Sequence, residues 1–195
     1  MITKNALVLR DLDLLKSMAV DALVHVFVSV TTLQAPLARE MEPRTSIPAA
    51  RLRAIEALAD AGVPVGVMVA PIIPGLNDSE IPGILQAAKS AGAMSASYTL
   101  LRLPLTVKPV FQEWLERTQP LKASLVLGRV RETRDGKLNS SNWGERMQGT
   151  GEIADQIRKM FLVFRQKHGL DGKLPEQNCN AFRHPTPKSG QMRLF

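Results

Sequence analysis

The sequence predicts an α/β protein in which parallel strands are covered by helices. Three observations carry this reading. Residues 63–70 are apolar at every position rather than every second one, the pattern of a strand covered on both faces. Strand patterns at 24–32, 63–70 and 95–104 alternate with helical ones at roughly thirty-residue spacing, which implies right-handed parallel crossovers. A Pro- and Gly-punctuated loop, Pro71-Ile72-Ile73-Pro74-Gly75-Leu76-Asn77-Asp78, follows the second strand. In parallel sheets and barrels ligands sit at the carboxyl ends of strands, so this is where a site is expected.

The 195 residues, 45% of them apolar, suffice for one good core but fall short of an eight-unit barrel, which takes about 250 residues. Charge is unevenly placed. Residues 1–120 hold 11 Lys/Arg and 11 Asp/Glu, whereas 121–195 hold 14 and 7. The expected organisation is therefore a neutral α/β part over 1–120 and a basic helical extension with a polar loop and tail over 121–195. Such an extension suits an anionic partner, nucleic acid first, against the plainer reading of a solvated basic face. With one cysteine, no charged-then-apolar leader and no apolar run of membrane-spanning length, the expectation is a soluble, cytoplasmic chain without disulfides or membrane contact.

Element by element, Ala6–Lys16 reads as a short helix with Leu and Val on one face. In the strand 24–32, Val24, Val26, Val28 and Val30 share the face suited to helix packing, while His25, Phe27, Ser29 and Thr31 share the other. Residues 33–47 read as a charged loop. Pro48 opens a helix that runs through Arg51–Ala61 and ends at Gly62. Asp78-Ser79-Glu80 reads as a helix start with Asp78 or Ser79 as cap, leading into 84–89 and closing at Gly92. After the strand 95–104, Val110–Leu115 is amphipathic and Leu121–Val130 is a less clear helix. Residues 131–151 form a long polar loop with three arginines and one lysine, and loops of that length in compact proteins are usually functional or disordered. Ile153, Ile157, Met160, Phe161 and Phe164 mark a last helix, ended by Gly169.

Several segments together resemble the carboxyl half of a radical SAM protein. They are Thr3-Lys4-Asn5, Val26–Thr32, Glu42-Pro43-Arg44 with Arg51, Val69–Asp78, Gly136–Asn139 and Gly144–Met147. The group they look like is the DNA repair photolyase-like one, similar to spore photoproduct lyase. The resemblance implies a partial TIM-type (βα)6 radical SAM barrel, of which the three strands would be the fourth to sixth. It also implies S-adenosylmethionine and a [4Fe–4S] cluster as cofactors of the parent family. The family motif Cys-x3-Cys-x2-Cys is absent and Cys179 stands alone. Three iron ligands are needed for such a cluster, so this chain alone cannot bind it. The expectation is a truncated frame starting at an internal methionine, or a remnant that has lost the chemistry.

What the resemblance implies about sites runs as follows. Lys4 would approach the S-adenosylmethionine carboxylate, Ser29 the ribose with Thr31 on the same face, and Gly66 and Ala70 would leave room for the adenine. The plainer alternatives are a solvated Lys4 and a Ser29 hydroxyl bonded to backbone. Arg44 and Arg51 could clamp a carboxylate or phosphate, or Arg51 could simply pair with Glu42 or Glu56. In the polar loop Arg131, Arg134, Lys137 and Arg146 offer phosphate contacts, and Trp143 offers a stacking face or an ordinary loop anchor. The final Gln191-Met192-Arg193-Leu194-Phe195 resembles the bacterial sliding-clamp-binding pentapeptide, with Gln191, Leu194 and Phe195 as its anchors. Two functions follow: part of a radical SAM enzyme acting on nucleic acid, or a non-catalytic module that binds nucleic acid or a clamp.

Overall fold

The computed structural model describes residues 1–181. Four parallel strands, β1 (Ile2–Thr3), β2 (Val26–Ser29), β3 (Val65–Ile72) and β4 (Ser95–Leu100), lie in that order in one sheet. The helices are α1 (Leu12–Val20), α2 (Ala35–Met41), α3 (Pro48–Asp60), α4 (Ile81–Ser90), α5 (Val107–Thr118), α6 (Pro120–Glu132) and α7 (Gly151–Lys167). The architecture is mixed α/β with a parallel sheet, as the alternating patterns predict. Ile2 and Thr3 pair with Phe27 and Val28, adding a short first strand to the three expected.

The main core lies on one face of the sheet. Val26, Val28 and Val30 of the second strand segment and Val65, Val67 and Val69 of β3 are buried there against Ile55 and Leu58 of α3, Ile84 and Leu85 of α4, and Ile157 and Phe161 of α7. A second core gathers at the carboxyl end of the sheet. There Ile73, Leu76, Leu101 and Leu103 meet Phe111 and Leu115 of α5 and Val126 and Val130 of α6. On the other face Phe27, Met68, Ala70, Ser97 and Thr99 are only half-buried. The continuous apolar run of β3 led to the expectation of two covered faces; in this chain one is sealed and the other is partly open.

Several local expectations are corrected. The charged loop at 33–47 contains α2, because Pro36 sits in its first turn and Leu37 buries against the second core. Residues 121–130 are fully helical as part of α6. Neither Asp78 nor Ser79 caps a helix: Asp78–Glu80 is a 3-10 turn, and α4 begins after Glu80 with Pro82 in its first turn. The third long strand stops at Leu100 rather than 104, and the polar loop begins past Glu132 because α6 extends through Arg131.

Candidate functional site

The half-open face is where most of the cofactor candidates meet. Strand alternation puts Phe27 and Ser29 on it from β2, and Gly66, Met68 and Ala70 from β3. Register pairs Phe27 with Gly66 and Ser29 with Met68. The Thr31 hydroxyl faces the Ala70 carbonyl at 2.9 Å and Glu42 Oε1 at 3.1 Å. Lys4 follows Thr3, whose partner is Val28, and so comes alongside Ser29. Lys4, Ser29, Thr31 and Ala70 therefore converge near the carboxyl end of the sheet.

The centre of this cluster is a residue that sequence reasoning treated only as a pairing partner. Glu42, on the residue that ends α2, accepts from Lys4 Nζ, from Arg51 Nη2 at 2.6 Å and from Thr31. Arg51 is 1% exposed. Its guanidinium also donates to Thr45 Oγ1 at 2.5 Å, to the Ser46 carbonyl at 2.7 Å and to the Ser29 carbonyl at 3.0 Å. With every nitrogen engaged inside the protein, Arg51 locks the end of β2 to the start of α3 and leaves nothing for an outside anion. Burial raises the Glu42 pKa, but hydrogen bonds and charge from Lys4 and Arg51 outweigh it and hold the carboxyl below its ordinary value. Ser29 is the exception in the cluster: its hydroxyl has no hydrogen-bond partner among the described residues.

A second polar knot ties the loop after β3. Asn77 Nδ2 donates to the carbonyls of Thr31 at 2.7 Å and Pro71 at 3.1 Å, while its Oδ1 accepts from Ile73 N at 2.6 Å. Glu80 accepts from Thr32 Oγ1 at 2.7 Å and from Leu33 N at 2.8 Å. These two side chains join the carboxyl ends of β2 and β3, a role the sequence reading did not give them. The Asn-Asp pair following Pro-Gly was the available signal, since Asn at a tight turn commonly bonds its neighbouring backbone.

Gly66 does not leave an open space. A Cβ built there would come within 2.4 Å of the Phe27 ring, so the missing side chain makes room for a residue of the neighbouring strand. Among the phosphate candidates Arg131, Lys137 and Trp143 are exposed and Arg146 half-exposed. Trp143 is 85% exposed, with the Arg146 guanidinium 4.4 Å from its ring centroid, so it does not serve as a buried anchor. Arg134 departs from the expectation: at 2% exposure it donates to the carbonyls of Leu101 at 2.8 Å and Glu145 at 3.1 Å. Burial, with Arg102 nearby, lowers its pKa. Its function is to pin the loop to the end of β4. Gln191, Leu194 and Phe195 lie outside the described residues.

The chemistry of the donor set fits an iron–sulfur cluster poorly. Cys179 is an exposed lone thiol, and among the described residues no group of three His, Cys, Asp or Glu side chains stands close enough to hold a metal. No step through a cluster is derived for this chain. Among the described residues no helix is long and apolar enough to cross a membrane.

A parallel sheet with polar residues converging at its carboxyl end defines an α/β protein of the kind that binds ligands at strand ends. Comparison with known proteins narrows this class. The family model of the radical SAM superfamily matches residues 1–88, from β1 to the end region of α4. Uncharacterized proteins of Mycobacterium tuberculosis (strain H37Rv) and Mycobacterium bovis are each 36% identical over 121 residues, 61% of this chain and 36% of theirs. An uncharacterized protein of Acidianus two-tailed virus is 40% identical over 72 residues, 37% of this chain and 23% of its own. The chain thus covers about a third of the length of the mycobacterial relatives. The superfamily implies S-adenosylmethionine and an iron–sulfur cluster in the parent proteins, and the cluster ligands are not in this sequence.

Proposed function

We propose that this chain supplies the S-adenosylmethionine-facing wall of a radical SAM protein of the DNA repair photolyase-like group, similar to spore photoproduct lyase, whose substrate is a nucleic acid. The observation that supports this most is the convergence of Lys4, Ser29, Thr31 and Ala70 on one face at the carboxyl end of a sheet matched by the radical SAM family model. In this reading the free Ser29 hydroxyl meets the ribose, and Lys4, released from Glu42, meets the carboxylate. The adenine rests on the Met68–Ala70 side of the face rather than at Gly66, which Phe27 occupies. In the parent family a [4Fe–4S] cluster would supply the electron that cleaves S-adenosylmethionine, while the residues of this chain would hold and orient the cofactor.

Titration of the chain with S-adenosylmethionine, followed by amide NMR shifts, tests the reading. Weak saturable binding is expected, with shifts centred on residues 27–31 and 66–70 and an about fivefold weaker affinity for Ser29→Ala, the loss of one neutral hydrogen bond. Absence of shifts on this face would turn the assignment to the second reading, a non-catalytic binding module. That reading is favoured by the exposed Trp143–Arg146 pair, which offers a base and a phosphate their usual partners. Salt-dependent oligonucleotide binding that is lost in Trp143→Ala, and clamp capture lost on removing residues 191–195, are its marks.

A further inference from the structure

The outer edge of β4 carries a cavity that none of the cofactor or nucleic-acid candidate residues lines. β4 ends the sheet, and its edge amides at Ala96 and Leu100 donate to the carbonyls of Leu170 at 3.0 Å and Met147 at 2.9 Å. Between those two clasps the edge is open at Tyr98, where a cavity of about 340 Å³ is lined by Ser97, Tyr98, Gln148, Arg158, Phe161 and Arg165. Leu162 forms an apolar margin.

Two buried atoms in this cavity, Tyr98 Oη and Arg158 Nε, have no well-formed hydrogen bond, although the Arg158 guanidinium lies near enough to the Tyr98 hydroxyl to act on it. Both can donate, and both atoms are covered although the cavity opens to solvent past the half-exposed Arg158 and Leu162. Arg158 pairs through Nη2 with Asp155 at 2.9 Å, and Arg165 donates through Nε to the Leu170 carbonyl at 3.1 Å. The terminal nitrogens of Arg165 have no partner among the described residues. No carboxylate is among the residues that line the cavity, and Asp155, paired with Arg158, is the acidic group near enough to act on Tyr98. The Tyr98 ring is held against Phe161 at a centroid distance of 4.6 Å, which fixes where its hydroxyl points. Burial raises the Tyr98 pKa, with Arg158 opposing, so the group is a protonated donor at neutral pH.

We propose that this cavity binds a phosphate monoester. Donors from three parts of the chain, Tyr98 on β4, Gln148 before α7, and Arg158 and Arg165 two turns apart on α7, surround one volume. Three phosphoryl oxygens satisfy such a set better than the two coplanar oxygens of a carboxylate. The volume lies at the small end of ligand sites, about 300–1,000 Å³, and Leu162 gives the esterified group an apolar rest. The phosphate monoester comes either from a free nucleotide or from the 5′-phosphorylated end of a nucleic-acid strand. The proposal stands apart from the cofactor reading, since none of Lys4, Ser29, Thr31, Gly66 and Ala70 lines the cavity.

Calorimetric titration of the whole chain with AMP, adenosine and a short oligonucleotide with and without a 5′-phosphate tests it. AMP or the phosphorylated strand is expected to bind, and adenosine and the unphosphorylated strand to bind at least tenfold more weakly. AMP binding assigns the free nucleotide as the source; binding of the phosphorylated strand without AMP binding assigns the strand end. Tyr98→Phe keeps the ring packing and removes only the orphan hydroxyl, and should weaken binding about fivefold, with Arg158→Gln about tenfold or more. Lys159→Gln, an exposed cation on the same helix outside the cavity, should leave binding unchanged. The proposal is overturned if no phosphorylated probe binds, if adenosine matches AMP, or if Lys159→Gln weakens binding as much as Arg158→Gln.

Discussion

Glu42 shows how one carboxylate can organise a site margin. It is the shared acceptor of Lys4, Thr31 and Arg51, and Arg51 is deeply buried. Replacing it with Ala leaves the Arg51 charge buried without its counter-ion and should destabilise the chain by about 3 kcal/mol, read from urea unfolding. The same group gives a pH signature. Because its folded pKa is held below the ordinary glutamate value of 4.5, its contribution is full above that value and is lost as pH falls through the folded pKa. The wild-type chain should therefore lose more stability on acidification below about pH 4.5 than Glu42→Gln, which has no such proton to take up. A parallel decline of the two would show that other carboxylates govern the acid limb.

Among the elements, β2 illustrates what patterning makes legible. The alternation of Val26, Val28 and Val30 against Phe27, Ser29 and Thr31 is a local property, and it correctly separates the helix-packed face from the polar one. The Gly62 and Gly92 stops and the Pro48 start are legible for the same reason. Contacts across long stretches of chain are not. Asn77 bonds a carbonyl 46 residues away, and Arg134 one 33 residues away. Within a loop of three arginines and a lysine nothing local distinguishes Arg134 from its more exposed neighbours. Gly66 likewise looked like an opening until its cross-strand partner was placed on it. Gly66→Ala should press on the Phe27 ring and cost about 1–2 kcal/mol, recovered in part by Phe27→Leu, as measured by chemical unfolding. Arg134→Met should release the 133–150 loop from the Leu101 and Glu145 carbonyls, giving faster limited proteolysis within that loop while the far-UV dichroism is kept.

At the scale of the molecule, one face of the sheet is sealed by α3, α4 and α7, while the other keeps Phe27 and Met68 half-exposed. β1 is two residues long, and among the described residues its outer edge has no strand partner. Ile2 is 64% exposed beside it. A partly apolar sheet face next to a free edge is a surface that favours association, because unpaired strand groups and apolar area can be satisfied together by another chain. The chain in isolation should therefore self-associate with rising concentration in sedimentation equilibrium and bind a hydrophobic dye such as ANS. Ile2→Lys places a charge at the edge, the usual way that strand edges are protected, and should shift the equilibrium toward monomer without changing the helix content. If the wild-type chain stays monomeric at high concentration and does not bind the dye, the half-open face and the free edge do not drive association. If Ile2→Lys leaves association unchanged, the contact runs through the exposed apolar residues of the outer helices, such as Val110, Leu121 and Val163.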